Sequence, residues 1–357
     1  MPKRRDVLAG LAATAFLPSK GWASVGKPVA ISAAKRSDGQ HILVGLSARG
    51  SLVFQVPLPD RGHAAAAHPS DAEVVAISRR PGTFALVINC LEGKAKQRLD
   101  APKGHHFYGH ATFSRDGRYL FTTENLYETG EGRIGVWERQ QGFSRVGDFS
   151  SGGIGPHEII LLPNGDLAVA NGGIRTHPNS GRDKLNLLSM RSNLSIMSIS
   201  GTLKDQTELP PSMRLNSLRH IAALPDGTIG FGCQWQGDVF ETPALFGTYS
   251  GKGGLHFEDV DETQLRSLKG YIGSVAAVGA DAFVATSPRG HAALLFGLKD
   301  HAAQNYRAHD VCGVTTSAQG VTLLTNGLGQ VFSTNTRALS QLAAHNLAFD
   351  NHLIAVP

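Results

Sequence analysis

The segment HATFSRDGRYLFTTEN (110–125) decides the fold, because its pattern recurs along the chain. It consists of an apolar run, a short turn and a second apolar run. The turn contains Asp116-Gly117, and such pairs favour β-hairpins because both residues tolerate a positive φ. The apolar runs are four to seven residues long, which is too short for helices. Related units lie at 29–47, 63–78, 157–173, 220–234, 274–287 and 313–327.

Each unit is followed by one or two further strand-like segments, such as TFALVINC (83–90) and RIGVWERQ (133–140). Seven units of roughly 48 residues, each with about four strands, are typical of propeller blades. We therefore predict an all-β fold, a seven-bladed β-propeller of four-stranded blades. A pair of β-sandwiches is the main alternative, but no linker or shift in composition divides the chain.

A propeller has to close its ring, and the C-terminal segment provides a means. Residues 345–357 (HNLAFDNHLIAVP) end in an apolar strand that has no later partner in the sequence. We predict that residues 352–357 join the first blade beside residues 29–58, since this pairing removes an open sheet edge. The longest inserts between strands are expected at 174–193 and 235–270.

Composition narrows the class of protein further. Of 357 residues, 41% are hydrophobic and 42 are glycine, which fits a globular chain with many tight turns. The cysteines Cys90, Cys233 and Cys312 are too few and too scattered for a disulfide scaffold or a four-cysteine zinc site. The net charge of +5 falls to about +2 without residues 1–23, so nucleic-acid binding is not indicated.

The first 23 residues, MPKRRDVLAGLAATAFLPSKGWA, are typical of an export signal. A basic start with Arg4-Arg5 precedes an apolar run from Val7 to Leu17, which is too short to span a bilayer. The arginine pair favours the twin-arginine route over an ordinary secretion signal. We predict a twin-arginine-type signal peptide at 1–23, a single propeller domain at 24–357, a periplasmic location and no membrane span in the mature chain.

Four histidines occupy the same place in four successive units. His63, His110, His157 and His220 each open the first strand of a unit, and first strands line the central channel of a propeller. Four imidazoles at one mouth of the channel would form a site for iron, copper or zinc. Two other interpretations are open: the histidines hydrogen-bond within their own blades, or they contact a substrate.

The loop NGGIRTHPNSGRDKLNL (171–187) is a second candidate site, because loops of this length in a compact domain are usually functional. Its basic side chains would form a rim for an anion or for a partner's acidic patch, unless they only order the loop. With Arg219 and Gln234, which lie near strand ends, the candidate rim for a substrate or partner comprises Arg175, His177, Arg182, Lys184, Arg219 and Gln234.

No familiar enzyme signature accompanies these groups. The chain lacks a G-x-S-x-G elbow, an H-E-x-x-H motif, a P-loop, a Rossmann fingerprint and a C-x-x-C-H haem site. Glu124 and Glu158 would be the acid/base pair if the channel held a catalytic site. The sequence therefore assigns no catalytic residue and favours a binding protein.

Several long strings between Arg61 and Asp238 resemble one family. They include HHFYGHATFSRDGRYLFTTEN (105–125), GIGPHE (153–158), VANGGIRTHPNSGRDKLNL (169–187) and GFGCQWQGD (230–238). These strings are similar to those of the bacterial domain-of-unknown-function family 1513 (DUF1513). The resemblance implies periplasmic propellers with twin-arginine signals, encoded beside imelysin-type and di-haem-peroxidase-type proteins, a setting associated with iron acquisition. It implies no catalytic activity and no role for individual residues.

Together these patterns predict a periplasmic binding protein, accessory to iron or redox-metal handling, that binds a metal or a partner at the channel mouth. Iron or copper is the expected ion, and periplasmic iron-uptake or haem-peroxidase-type proteins are the expected partners. One alternative is an oxidoreductase or hydrolase that uses the same central pocket. The other is a protein-interaction scaffold that uses the loop at 171–187.

Overall fold

The computed structural model describes residues 21–79, 82–181, 183–251, 253–299, 303–334 and 338–357. These residues form seven four-stranded antiparallel sheets, which are the blades of a β-propeller. The predicted fold class and the predicted number of blades are confirmed. The predicted signal peptide lies outside the described residues, except for residues 21–23.

The blades follow one another along the chain. Blade 1 uses the first three strands, β1 (Ala30–Arg36), β2 (His41–Leu46) and β3 (Leu52–Leu58). Blade 2 contains β4 (Gly62–Ala67), β5 (Glu73–Ser78), β6 (Phe84–Asn89) and β7 (Lys94–Asp100). Blade 3 contains β8 (His105–Phe113), β9 (Tyr119–Leu126), β10 (Glu131–Glu138) and β11 (Ser144–Ile154). Blade 4 contains β12 (Pro156–Leu161), β13 (Leu167–Asn171), β14 (Asn193–Met197) and β15 (Leu203–Glu208).

The remaining blades have the same plan. Blade 5 contains β16 (Asn216–Ala223), β17 (Ile229–Trp235), β18 (Phe246–Tyr249) and β19 (Leu255–Phe257). Blade 6 contains β20 (Ser274–Val278), β21 (Ala282–Ser287), β22 (Ala292–Gly297) and β23 (Ala303–Arg307). Blade 7 contains β24 (Val311–Thr316), β25 (Thr322–Asn326), β26 (Gln330–Thr334) and β27 (Leu339–Ala344). The first strands of neighbouring blades contact one another around the axis.

The C-terminal strand closes the ring, as predicted. Strand β28 (Leu347–Ala355) pairs antiparallel with β1 and contacts β4 and β24 of the neighbouring blades. It is therefore the innermost strand of blade 1, and the unit at 29–47 supplies the second and third strands of that blade. In the other blades the corresponding unit supplies the first and second strands. This offset of one strand places residues 347–355 on the channel.

Short glycine turns shape the hairpins. Gly39, Gly117, Gly165 and Gly227 have φ values between 70° and 90°, a region that glycine enters without a steric penalty. In one of these turns the Gly117 N–H donates to the Ser114 carbonyl at 2.8 Å. The Asp-Gly and Asn-Gly pairs of the sequence therefore mark turns, as predicted.

The blades pack against one another through apolar faces. The largest cluster of buried side chains extends from blade 4 to blade 6, and in it Phe246 stacks on Phe296 with ring centroids 4.0 Å apart. On the first strand of blade 2 the buried side chains include the small Ala65 and Ala66 of β4.

Helices are few in the part of the chain that the structure describes. Helix α1 (Glu262–Ser267) lies in the predicted insert at 235–270, and the Asp261 side chain caps it by accepting from the Thr263 N–H at 2.8 Å. None of the described helices has the length and apolar character needed to cross a bilayer. Single turns of 3-10 helix occur at Trp22–Val25, Arg139–Gln141, Pro178–Ser180, Leu187–Ser189 and Pro211–Met213.

The end of the predicted signal peptide packs against the propeller. Trp22 is buried, and its indole Nε1 donates to the His68 carbonyl at 2.9 Å. Gly21 forms an isolated β-bridge with Asp71. Cleavage after Ala23, as the sequence predicts, would remove this indole from the mature protein.

Candidate functional site

Five buried imidazoles occupy the central channel. The four predicted histidines lie on the first strands of blades 2 to 5, and His352 on β28 joins them from blade 1. The centroid of the His63 ring lies 4.5 Å from that of His352 and 5.0 Å from that of His110. The His157 ring lies 4.8 Å from both His110 and His220. The first strands of blades 6 and 7 carry no histidine.

His352 is the member of this cluster that the sequence analysis missed. His352 begins the string HLIAV (352–356), which matches HEIIL at His157 and HIAAL at His220. That signal becomes visible only when β28 is recognised as the innermost strand of blade 1.

β-Bulges direct the histidines into the channel. In β12, Pro156 pairs with Asn171 and Glu158 pairs with Ala170, so His157 is the extra residue of the bulge. The other four histidine-bearing strands also change register at or beside the histidine. Because a bulge bends the strand and redirects a side chain, the rings converge although they come from five separate sheets.

Gly109 makes room for one of these rings. Its φ is +103°, and a Cβ atom at this position would lie 2.2 Å from Cδ2 of His63. Glycine therefore allows β8 to pass directly beside the His63 imidazole.

All five histidines are neutral at physiological pH. Burial lowers the pKa of His63, His110 and His157 well below the usual value, and lowers that of His220 and His352 to about 3. Neighbouring imidazoles and nearby guanidinium groups act in the same direction. Neutral imidazole is the form that binds metal ions.

Glu158 adds one carboxylate to the cluster. Its Oε1 lies 3.6 Å from Nδ1 of His110, its Oε2 lies 3.3 Å from Nδ1 of His220, and the Ile221 N–H donates to Oε2 at 2.9 Å. Burial raises the pKa of Glu158 to about 7. In metal sites a carboxylate that accepts from Nδ1 fixes the tautomer of the histidine and leaves Nε2 to the ion; here Glu158 is close to both rings, but Nδ1 of His220 has no hydrogen-bond partner among the described residues.

The donor set fits a transition-metal ion. Among the described residues no hydrogen-bond partner is present for Nδ1 of His63, Nε2 of His110 or Nδ1 of His157. Two overlapping trios each bring three ring nitrogens within 4.8 Å of one another: His63, His110 and His352, and His110, His157 and His220. Tetrahedral zinc with bonds of about 2.0–2.1 Å needs nitrogens about 3.3 Å apart. The rings of either trio would therefore have to move inward to bind zinc in this geometry.

The histidines separate two cavities. The upper cavity, of about 110 Å³, opens on the face formed by the loops that follow the second strands of the blades. Four of the five histidines line it, as do Arg79, Tyr108, Arg219, Gln234, Tyr271 and Asn351. The lower cavity, of about 500 Å³, opens on the opposite face and has a largely apolar lining. Glu158 lines the lower cavity, and His352 lines both.

Some of the predicted rim residues line the upper cavity and others do not. Arg219 and Gln234 line the upper cavity. Lys184 is exposed, and its pKa is lowered first by partial burial and then by the charges of Arg219 and Arg289. Arg182 lies outside the described residues.

Arg175 and His177 hold their loop in place instead of facing the upper cavity. Arg175 donates through Nη2 to the Glu128 carbonyl at 2.7 Å, and His177 Nε2 lies 3.7 Å from a Glu128 carboxylate oxygen. The Asn186 side chain joins the two ends of this loop, because it accepts a hydrogen bond from the Arg175 backbone N–H at 2.7 Å. This part of the loop is ordered by its own Asn and Arg contacts, which is the alternative that the sequence left open.

Glu124 is engaged away from the cluster. It is fully buried on β9, where Arg145 donates to its two oxygens at 2.6 and 3.0 Å and His105 Nδ1 lies 3.0 Å from Oε2. Glu124 lines neither cavity. Since Glu158 faces His110 and His220, the two carboxylates have no partner in common, and the geometry gives no support to an acid/base pair.

We expect Arg145→Ala to lower the free energy of unfolding by about 3 kcal/mol, because it leaves Glu124 buried without its cation. Metal binding should not change. Urea denaturation measures the first quantity, and Arg191→Ala is the matched control, since the exposed pair of Arg191 and Glu208 should contribute less than about 1 kcal/mol. An Arg145→Ala protein as stable as the wild type would show that the buried pair with Glu124 does not support the fold.

Fold and site together define a seven-bladed β-propeller whose channel is filled by a layer of histidines. The chain belongs to the family described as "protein of unknown function (DUF1513)", whose profile matches residues 56–356. The expected family membership is confirmed. No curated protein sequence matches the chain.

Solved structures with a similar fold share little sequence with this chain. Hydrazine synthase from Kuenenia stuttgartiensis aligns with a TM-score of 0.60 and 12% identity, covering 86% of this chain and 89% of that chain. A streptogramin B lyase aligns with a TM-score of 0.56 and 13% identity, covering 94% of this chain and 95% of that chain. At such identities the likeness concerns the fold alone.

Proposed function

We propose that this protein is a transition-metal-binding propeller, and that the ion is held in the channel by histidines of the five-ring cluster. The single observation that carries the proposal is the convergence of five neutral, buried imidazoles, several with unpartnered ring nitrogens, on one level of the channel. Buried polar atoms without partners are costly. Four of them, on His63, His110, His157 and His220, are explained by a ligand that uses their lone pairs.

His110 is the centre of the arrangement, because it belongs to both possible trios. One ion bound through His110 therefore excludes a second ion in the other trio. The imidazole donors suit iron, copper or zinc, and Glu158 would orient His110 and His220 from below. We propose iron or copper as the ion, in keeping with the iron-related setting that the family resemblance implies.

The proposed location is the periplasm, reached through a twin-arginine signal. The support is the sequence of residues 1–23, with its Arg4-Arg5 pair and short apolar run. The twin-arginine route exports folded proteins, so it would allow the ion to be inserted before export.

Metal analysis of the purified protein tests this function. We expect about one equivalent of bound transition metal per chain after dialysis, and almost none in the double variant His110→Ala/His157→Ala. The matched control, His256→Ala/His309→Ala, removes two exposed histidines outside the channel and should keep the full content. Wild-type protein that takes up no iron, copper or zinc, even when supplied in excess, would contradict the proposal.

A further inference from the structure

The upper cavity presents hydrogen-bond donors and positive charge above the histidines. Arg79 and Arg219 contribute guanidinium groups, Gln234 contributes an amide, and Tyr108 and Tyr271 contribute hydroxyl groups. Arg289 extends the cationic surface, since its guanidinium lies 4.4 Å from the centre of the Tyr271 ring. None of the ten described residues that line this cavity is acidic.

The positive charge of this lining lowers the pKa of the histidines beside it. Because the imidazoles are neutral, the two arginines give the cavity a net positive charge. Arg219 contributes to the lowered pKa of His110, His157 and His220, and Arg79 does so for His63 and His352. Electrostatic interactions are strong in such a partly enclosed site, where water screens them less than at a surface.

A divalent cation in the histidine layer would increase this positive charge. Glu158 can supply at most one negative charge from below, whereas a divalent ion, Arg79 and Arg219 together would supply four positive charges. A negatively charged ligand in the upper cavity would offset part of the difference.

We propose that the upper cavity binds a small oxyanion, a sulfate, phosphate or short carboxylate, directly above the metal-binding histidines. Guanidinium groups bind such oxygens with two parallel hydrogen bonds, and the amide and hydroxyl groups supply further donors. A cavity of about 110 Å³ suits a ligand of a few heavy atoms.

Calorimetric titration of the metal-free protein with sulfate and with acetate tests the anion site by itself and distinguishes tetrahedral from planar ligands. We expect one of them to bind, and Arg219→Gln to weaken binding about 10-fold to 100-fold because a charged hydrogen-bond donor is lost. Arg79→Gln should act in the same direction, which covers the case in which Arg219→Gln does not fold. Arg191→Gln, on an exposed arginine outside the cavity, should leave the affinity unchanged.

Chloride at matched ionic strength controls for general screening. Equal affinities in the wild type and in both cavity variants, or no binding of either oxyanion, would overturn the proposal. The variant His110→Ala, at a histidine that does not line the upper cavity, should still bind the oxyanion, so failure of the metal site and failure of the anion site are distinguishable.

A second measurement tests whether the two ligands are coupled, and this step rests on the proposed metal function. Saturating oxyanion should tighten metal binding at least about fivefold, and the metal should tighten oxyanion binding by the same factor, since linkage is reciprocal. Metal affinity that is unchanged or weakened by the oxyanion would show that the two sites do not compensate each other's charge.

Discussion

Replacing His110 with alanine is expected to weaken metal binding by more than about 100-fold, beyond the effect usual for groups that only support a ligand. The reason is geometric, because His110 is the one ring shared by both trios of the channel. His63→Ala leaves the trio of His110, His157 and His220 complete, so its loss of affinity should be clearly smaller. Competition with a chromophoric chelator measures both affinities.

The same variants have a thermodynamic readout that does not depend on the chelator. A ligand present at 100 times its Kd raises the free energy of unfolding by about 2.7 kcal/mol, so metal should stabilise the wild type and His63→Ala but hardly stabilise His110→Ala. His309→Ala is the control, since His309 stacks on His291 with ring centroids 4.2 Å apart and takes no part in the cluster. Equal losses in His63→Ala and His110→Ala would contradict the assignment of His110 as the shared ligand.

Much of the architecture is predictable from the sequence, because each repeat unit contains a recognisable turn between its two strands. Asp116-Gly117 and the matching pairs place a turn between two short apolar runs in successive units, and the φ values of these glycines are those the turns require. Ring closure follows from the same reasoning, since a terminal strand without a partner has to pair with the open edge of blade 1. The closing strand is longer than predicted and begins at Leu347.

The functional site is less predictable from the sequence, because it depends on contacts between blades and on local bulges that the repeat pattern does not show. Equivalent positions identify His63, His110, His157 and His220, but only the closed ring shows that His352 belongs with them. The bulges that aim the rings are local departures from pairing, and no motif in the sequence marks them. Glu124 and Glu158 look alike in the sequence, yet Arg145 neutralises the first while the second faces two histidines.

The separation of the channel into two cavities has a consequence for the site. An ion in the histidine layer would meet a polar, cationic cavity on one side and a largely apolar cavity with Glu158 on the other. A charged ligand would therefore approach from the upper cavity, where donors can replace its hydration shell. The donors of the lower cavity carry less charge, since Arg115 is the one arginine among its described lining residues and the hydroxyl groups of Ser274, Thr315 and Thr316 are neutral.

Removal of residues 347–357 is expected to prevent stable folding. These residues include β28, and without it β1 loses its inner partner, blade 1 loses a quarter of its sheet, and β4 and β24 lose a neighbour at the axis. The truncation leaves an open sheet edge beside buried apolar residues such as Ile31 and Val44, which favours aggregation. We expect the truncated chain to be insoluble or to lack a cooperative thermal transition by circular dichroism.

A point substitution tests the packing of this strand without removing its histidine. Leu353 is 3% exposed and packs between blades 7 and 1 among Leu323, Val331 and Phe349. Leu353→Ala should lower the free energy of unfolding by about 2–5 kcal/mol, as large-to-small changes in a core do, while His352 remains in place. Leu342→Ala, on a side chain that is 39% exposed, should change it by no more than about 0.5 kcal/mol. Urea denaturation compares the two, and equal effects would mean that the closing strand is not packed as a core strand. Because the closing strand carries both Leu353 and His352, it contributes apolar packing between blades 7 and 1 as well as the fifth imidazole of the channel.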